Sequence, residues 1–192
     1  EVSVSADLVR SLLVDQHPQY AHLPIAHFSE GWDNFTFRLG DKFAVRLPRR
    51  KIAVDLLINE QRCLPALTPR LPLPVTASIA IGGPGRDFPW PWSVVRWIDG
   101  ALADIDQPDA TQGPVLAAFL RALHQPATGD APGNPSRGIP LAVREERISA
   151  VIARVRSSSD VVTATVERVW AEALKADPAT EQVWLHADLH SR

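Results

Sequence analysis

The apolar positions near the start of the chain follow the spacing of an amphipathic helix. Over residues 6–15 they recur at intervals of three and four, and they are Leu8, Val9, Leu12 and Leu13. This spacing lines one face of a helix. Ser5 stands where its side chain can cap the first turn, and Pro18 ends the pattern. We therefore predict a helix that buries one face.

Two runs of alternating apolar and polar residues come next, with the period of two that a half-buried strand shows. Their apolar positions are Phe35, Phe37 and Leu39 in the first run and Phe43, Val45 and Leu47 in the second. Gly40-Asp41 between the runs suits a type II′ turn, so the pattern predicts a β-hairpin. Ala44 and Arg46 then project from the opposite face, on the same side as the loop Gly31–Asn34.

The apolar spacing predicts a second helix over residues 51–67, with Pro65 and Pro69 closing it. Its inward positions would be Leu56, Leu57 and Leu64. Glu60 lies on the same apolar side, where an unpaired carboxylate is costly. We expect Arg46, on the preceding strand, to be its partner. The alternative is that Glu60 points to water as an ordinary helix residue.

The remaining patterns divide the chain into a sheet part and a helical part. Two further strands, over residues 75–81 and 92–98, would give an antiparallel sheet of four or five strands covered by a helix. Helical spacing then dominates, with predicted helices over 113–125, 142–157 and 160–176. Their inward apolar positions include Val115, Leu116, Val151, Val166 and Val169. A short buried strand, Val183-Trp184-Leu185, would lead into a polar loop around Asp188.

Composition narrows the class of protein without naming a function. The 192 residues are 45% hydrophobic and 22% charged, which is ordinary for a globular protein. A net charge of −2 without a basic block gives no support for a nucleic-acid partner. The single Cys63 excludes an internal disulfide. The sequence shows neither a membrane-length apolar run nor a signal-peptide pattern, so we expect a cytoplasmic protein with no membrane partner.

Three segments resemble one known family. His-x-Asp-Leu-His at 186–190 resembles the catalytic loop of the aminoglycoside phosphotransferases, which are relatives of the protein kinases. Gly-Trp-Asp-Asn-x-Thr-Phe-Arg-Leu-Gly-Asp at 31–41, followed by Ala-Val-Arg-Leu-Pro-Arg at 44–49, resembles the hairpin of a bacterial subgroup of that family. The irregular loop at 131–138 resembles the same subgroup. That loop could border a substrate site or be only a connection.

The resemblance implies a protein kinase-like, α+β fold of two lobes. Residues 1–98 would form the nucleotide-binding lobe, and residues 99–192 would begin a helical lobe that ends at the catalytic loop. The implied reaction moves the terminal phosphate of ATP or GTP, with Mg²⁺, to a hydroxyl of a small molecule such as an aminoglycoside- or macrolide-like antibiotic. Asp188 would orient and deprotonate that hydroxyl, and His186 would brace the loop.

The resemblance also assigns the nucleotide site. Arg46 stands where kinases carry a phosphate-gripping lysine, with Glu60 as its helical partner. The loop Gly31–Asn34 would cover the phosphates. The hinge segment between the lobes, residues 94–100, would meet the adenine edge with the backbone groups of Arg96 and Ile98, in a cleft shared with Asp188. The full set is Gly31, Trp32, Asp33, Asn34, Arg46, Glu60, Arg96, Trp97 and Ile98. Without the resemblance, the loop residues also suit a surface turn, Arg46 also suits an ordinary surface arginine, and the hinge residues also suit an edge strand.

Further expectations concern the acceptor, the activity of residues 1–192 and the cover of the apolar helix faces. The acceptor could instead be a choline-, homoserine- or fructosamine-like metabolite, or the chain could be a non-catalytic nucleotide-binding module. The family's metal ligands, an asparagine and a later aspartate, would lie beyond Arg192, and the sequence contains no Met. We therefore expect residues 1–192 to be part of a longer protein, with little activity alone. Apolar helix faces would then be covered by a further C-terminal part or in a homodimer.

Overall fold

Five antiparallel strands form one sheet in the first part of the chain. In the computed structural model, which describes residues 2–134 and 137–189, the strands are β1 (Ile25–Glu30), β2 (Asn34–Leu39), β3 (Phe43–Pro48), β4 (Ser78–Gly82) and β5 (Trp92–Arg96). Their spatial order is β1-β2-β3-β5-β4, and every neighbouring pair is antiparallel. The sheet predicted from the sequence is therefore present. The apolar pattern did not distinguish β1 from the residues that follow it.

The β2–β3 hairpin has the predicted strands but a different turn. Leu39 pairs with Phe43, so the loop holds Gly40, Asp41 and Lys42 instead of the two residues of a type II′ turn. Gly40 adopts a φ of +56°, which glycine reaches without a steric penalty. Its amide donates to the carbonyl of Pro24 at 2.8 Å. This bond ties the hairpin loop to the segment that precedes β1.

The main core lies between the sheet and the first helix, α1 (Ala6–Gln16). The Ser5 hydroxyl accepts a hydrogen bond from the amide of Leu8 at 3.2 Å, which confirms the predicted cap. The core residues are Val9, Leu12, Leu13, Phe35, Phe37, Leu39, Val45, Leu47, Phe88, Trp92 and Val94. Burying these side chains on one face of the sheet leaves the other face for α2 and for the polar residues of β3 and β5.

The second helix, α2 (Lys51–Leu67), has the predicted bounds and packs against β3 and β4. Two details of the prediction are wrong. Leu56 is 36% exposed while Leu57 is 2% exposed, so the buried stripe is narrower than expected. Pro65 lies inside the helix and does not end it. The helix continues to Leu67, after which the Thr68 hydroxyl donates to the Leu64 carbonyl at 2.7 Å.

The chain divides into two compact units at Leu123. The first unit also contains the helix α3 (Gln112–Leu123), which buries Phe119 and Leu123 but leaves Val115 and Leu116 exposed, contrary to the prediction. The placement of a lobe boundary near residue 98 stays a prediction. Among the described residues, no helix has both the length and the apolar character needed to cross a membrane.

The second unit, His124–Leu189, contains the helices α4 (Glu145–Arg156) and α5 (Ala164–Leu174). Within the described part of the chain, neither helix contains a fully buried residue, and Val151, Val166 and Val169 are exposed instead of inward. The predicted buried strand at 183–185 is also wrong. Val183 forms only an isolated bridge with Pro126, and Leu185 is 47% exposed. An irregular segment therefore leads to Asp188.

Candidate functional site

Arg46 and Glu60 form an ion pair on the sheet face opposite the core. Arg46 lies on β3 between Thr36 of β2 and Ser93 of β5. Its Nη1 donates to Oε2 of Glu60 on α2 at 2.7 Å. The two side chains are 20% and 37% exposed, so the pair is partly shielded from water but still reachable. The partnership expected from the sequence is therefore present.

A buried polar network fixes α2 on this face of the sheet. Gln61, next to Glu60, donates from Nε2 to the Ser93 hydroxyl at 2.9 Å and to the Trp92 carbonyl at 3.2 Å. The Ser78 hydroxyl also bonds Ser93 at 2.8 Å. Ser93 is completely buried, and a buried polar group is stabilised only when its hydrogen bonds are made. These bonds set the register of α2 and with it the position of Glu60.

The loop Gly31–Asn34 is a closed turn anchored by the two arginines that follow β3. The Gly31 amide donates to the Asn34 carbonyl at 2.9 Å. Arg49 donates from Nη1 to the Gly31 carbonyl at 2.8 Å and pairs with Glu30 at 2.7 Å. Arg49 was not predicted as a site residue. The only available signal was its place at the end of the family-like hairpin.

Arg50 holds the other side of the same loop. Its Nη2 donates to Asp33 Oδ1 at 2.7 Å, and its guanidinium lies 5.0 Å from the centre of the Trp32 ring. Trp32 itself is 82% exposed. Asp33 is thus a structural partner of Arg50 as well as a residue of the predicted phosphate cover. Arg50 was also missed in the sequence, because its partner lies in a separate loop.

The Asn34 side chain provides a test of whether a ligand fits beside this loop. Its Oδ1 is buried and has no hydrogen-bond partner among the described residues. An unsatisfied buried acceptor costs free energy that a donor from a bound molecule, such as a ribose hydroxyl, would offset. A half-turn of the amide would instead present a donor to a phosphate oxygen. The place of Asn34 in a nucleotide site stays a prediction.

The hinge segment combines a bonded residue with two exposed neighbours. The Trp97 amide donates to the Lys42 carbonyl at 2.9 Å, which continues the β3–β5 pairing by one residue. Because backbone groups alternate in direction along an antiparallel pair, those of Arg96, the last residue of β5, point away from β3. Adenine recognition by Arg96 and Ile98 would use the backbone groups of this segment. That role for them stays a prediction.

The Trp97 side chain is fixed by aromatic and charged neighbours. The Arg38 guanidinium lies 3.9 Å from the centre of its ring, and the Phe28 ring meets it edge-on at 4.7 Å. The indole Nε1 donates to Asp99 Oδ1 at 2.9 Å. Phe28 and Arg38 come from β1 and β2. The segment that follows β5 is therefore held against the opposite part of the sheet by its own side chain.

In the second unit, Asp188 lies at the end of an exposed loop and pairs with Arg137. Arg137 donates from Nη1 to Asp188 Oδ1 at 2.5 Å and to the Ala187 carbonyl at 2.5 Å. The two side chains are 45% and 60% exposed. Arg137 was missed as a site residue because it is distant in sequence. It does belong to the loop at 131–138 that resembles the family.

His186 and the residues around it define the shape of this loop. The Asp188 amide donates to His186 Nδ1 at 3.4 Å, which is long for a hydrogen bond, and the bracing role of His186 stays a prediction. Ala187 adopts a φ of +58°, which is unusual for a residue other than glycine. His190, the last histidine of the motif, lies outside the described residues. So do Pro135 and Ser136 of the family-like loop.

The described residues do not form a metal site. Among residues 2–134 and 137–189, no three or more His, Cys, Asp or Glu side chains are grouped so that they could hold a metal ion. The Mg²⁺ that the family resemblance implies therefore has no ligand set to test in this part of the chain.

The five-stranded sheet with its strand-to-helix ion pair, followed by a helical unit, is a protein kinase-like fold. The model of the phosphotransferase enzyme family known as APH matches residues 24–192, and the chain belongs to this family. A comparison with curated proteins gave no match.

Solved structures support the same fold. The GDP complex of wild-type aminoglycoside 2′-phosphotransferase-IIIa is 18% identical over 88% of this chain and 57% of its own, with a TM-score of 0.61. The apoenzyme of the macrolide 2′-phosphotransferase MphH from Brachybacterium faecium is 19% identical over 97% of this chain and 66% of its own, with a TM-score of 0.60. The GDP and kanamycin complex of an APH(2″) enzyme is 19% identical over 85% of this chain and 56% of its own, with a TM-score of 0.58. The chain thus spans less than two thirds of these relatives.

Proposed function

We propose that this protein transfers the terminal phosphate of ATP or GTP to a hydroxyl group of a small molecule. The Arg46–Glu60 ion pair is the observation that carries the proposal. A cation held on a sheet face by a helical carboxylate is the arrangement that kinase-like enzymes use to orient nucleotide phosphates. Membership of the phosphotransferase family and the nucleotide complexes among the similar structures support the same conclusion.

Each site residue has a role that follows from its chemistry. Arg46 keeps a permanent charge and has further N–H donors beyond the one that bonds Glu60, so it can bind phosphate oxygens. Asp188 engages Arg137 through Oδ1, which leaves Oδ2 to accept the proton of an acceptor hydroxyl. His186 supports the loop and takes no part in proton transfer. A bound Mg²⁺ would supply neutralisation of the phosphate charge.

The proposed acceptor is an aminoglycoside- or macrolide-like molecule. The support is the nature of the similar structures, which include a kanamycin complex and a macrolide phosphotransferase. Fold similarity by itself does not identify a substrate. A panel that also contains choline-, homoserine- and fructosamine-like hydroxyl compounds separates antibiotic modification from metabolite phosphorylation.

The test is a nucleotide-consumption screen of the full-length protein against this panel, with ATP and GTP as donors. Asp188→Asn keeps the size of the side chain but removes the base, so turnover should fall on the order of a hundredfold or more while nucleotide affinity is retained. Asp177→Asn, an exposed aspartate in the same unit, is the matched control and should keep full turnover.

The outcomes separate an enzyme from a binding module. Acceptor-dependent turnover that is lost in Asp188→Asn and kept in Asp177→Asn supports the proposal. Nucleotide binding without turnover for any acceptor of the panel would favour a non-catalytic module. Turnover that is equal in wild type and Asp188→Asn would refute the role of Asp188.

A further inference from the structure

Arg137 contacts the Asp188 loop at two adjacent points with one nitrogen atom. Its Nη1 lies within hydrogen-bond distance of the Ala187 carbonyl and of Asp188 Oδ1. We propose that Arg137 is a positioning residue for Asp188, holding both the backbone turn and the carboxylate in the geometry that the reaction uses. This inference rests on the proposed phosphotransferase function.

The first reason for the proposal is the backbone conformation of Ala187. Its φ of +58° lies in the left-handed region, where the Cβ atom of alanine crowds the backbone. Such a residue persists only when its surroundings hold it. The bond from Arg137 to the Ala187 carbonyl is a contact of this kind, because it fixes the peptide that joins Ala187 to Asp188.

The second reason is the orientation of the carboxylate. The Asp188 side chain is 60% exposed, so packing does not restrict its rotation. An exposed ion pair by itself contributes little to stability. Here the same guanidinium also holds the backbone beside the carboxylate, so it restricts the rotation that would carry Oδ2 away from an acceptor hydroxyl. The contribution of Arg137 is therefore one of geometry more than of stability.

The third reason is that Gly138, the residue after Arg137, lies close to the segment that leads to Asp188. Gly138 has a φ of +64°, and a Cβ at this position would lie 2.9 Å from Leu185 Cδ1. A side chain at position 138 would require the Leu185 side chain to move, so the segment that carries Arg137 lies directly against Leu185. The chain 137–138 is seated against residues 185–188, and the arginine contact is one part of that seating.

The experiment compares variants of the full-length protein. Arg137→Ala should lower kcat on the order of ten- to a hundredfold, because a small misplacement of a catalytic group is costly. The KM for nucleotide should stay within about threefold, because nucleotide binding is assigned to other residues. Arg137→Lys should retain more activity, because an ammonium group has enough donors for both acceptors. Arg168→Ala, which breaks an exposed ion pair with Glu172 on α5, is the matched control.

A second substitution tests the mechanism directly. Glycine adopts a positive φ without strain, so the loss caused by Arg137→Ala should be several-fold smaller when Ala187→Gly is present in both the reference and the test protein. A merely structural role for Arg137 in the fold of the unit would give the same loss in both backgrounds. Equal losses in the two backgrounds would therefore overturn the proposal, as would an Arg137→Ala protein with wild-type kcat.

A measurement that does not depend on turnover separates this proposal from the proposed function. Amide hydrogen exchange in a peptide spanning residues 184–189 should be faster in Arg137→Ala than in Arg168→Ala. If the wild type shows no turnover, the proposed function fails, while faster exchange in Arg137→Ala still supports the positioning role of Arg137. Unchanged exchange would overturn that role. If Arg137→Ala does not fold, Arg137→Lys provides the same comparisons. If Arg137→Lys matches Arg168→Ala in exchange rate and in kcat, a different result for Arg137→Gln supports the positioning role through the donors that lysine retains. An Arg137→Gln protein that also matches Arg168→Ala would overturn the positioning role.

Discussion

Removing the charge of Glu60 tests whether the ion pair on the sheet prepares Arg46 to bind nucleotide. Glu60→Gln is the appropriate change, because glutamine has nearly the same shape and its carbonyl can still accept the hydrogen bond from Arg46 Nη1. Only the charge on the acceptor is lost. The substitution therefore separates the electrostatic part of the contact from its steric part.

The expected magnitude follows from the degree of burial. A hydrogen bond to a charged group contributes about 1.5–3 kcal/mol and a neutral one about 0.5–1.5 kcal/mol, so the charge contributes about 1–1.5 kcal/mol. The exposures of 20% and 37% exclude the larger values found for fully buried pairs. If the free energy that holds Arg46 in its orientation falls by about 1–1.5 kcal/mol, nucleotide binding should weaken by roughly five- to tenfold.

The assay is a titration of the full-length protein with ATP and with GTP, compared with Asp55→Asn. Asp55 is an exposed residue of the same helix, so its neutralisation changes the net charge equally without touching Arg46. Urea unfolding of both variants checks that the sheet and α2 remain folded. If Glu60→Gln binds nucleotide as tightly as Asp55→Asn does, the ion pair has no part in the nucleotide site.

Two further predictions concern the stability of the first unit. Gly82→Ala should destabilise the protein by about 2–4 kcal/mol in urea unfolding, because a Cβ there would lie 2.0 Å from the fully buried Trp92 ring. Gly83→Ala, where no described atom lies within 4 Å of the new Cβ, is the control, and equal losses would contradict the packing argument. The hydrogen bond from Arg86 lowers the pKa of Asp15 below its ordinary value of 3.8, so this pair stabilises the fold above that pH and is lost as the pH falls through the lowered pKa. The stability difference between wild type and Arg86→Gln should therefore shrink in acid, and a difference that stays constant down to about pH 2 would refute this assignment.

The elements with strong periodicity were predictable from the sequence. The first two helices and the hairpin follow regular apolar spacing. The spacing indicates the buried residues well for the first helix and the hairpin, but in α2 only Leu57 of the three predicted inward residues is buried. The strand β1 was not distinguished, because its burial pattern has no alternation and it lies at the sheet edge. An edge strand without a buried face leaves little trace in the order of apolar residues.

The apolar helices of the second unit show the limit of the same reasoning. Spacing identifies which residues share a helix face, but it does not state whether another element covers that face. Val166 and Val169 share the predicted face of α5 and remain 42% and 53% exposed. The prediction of a buried strand at 183–185 failed for a related reason, because three apolar residues in succession suit a buried strand as well as an irregular segment.

The candidate site was predictable where residue chemistry demanded a partner. Glu60 could be paired with Arg46 because a carboxylate on an apolar helix face needs a cation nearby. Arg137 and Asp188 gave no such signal. Both are exposed and solvated in the chain, so neither requires a partner, and their contact depends on how two distant loops meet.

The contact between Arg137 and the Asp188 loop bears directly on the proposed function. A left-handed alanine costs about 1–2 kcal/mol, which a folded protein tolerates where the strain defines a useful geometry. The hydrogen bonds from Arg137 to the Ala187 carbonyl and to Asp188 Oδ1 offset part of this cost at an exposed position where burial gives no support. In the proposed function Asp188 accepts a proton from an incoming hydroxyl, so its carboxylate has to remain open to solvent and yet be fixed in direction. A cation that bonds both the backbone and one carboxylate oxygen meets these two requirements together, because it restrains Asp188 without covering Oδ2.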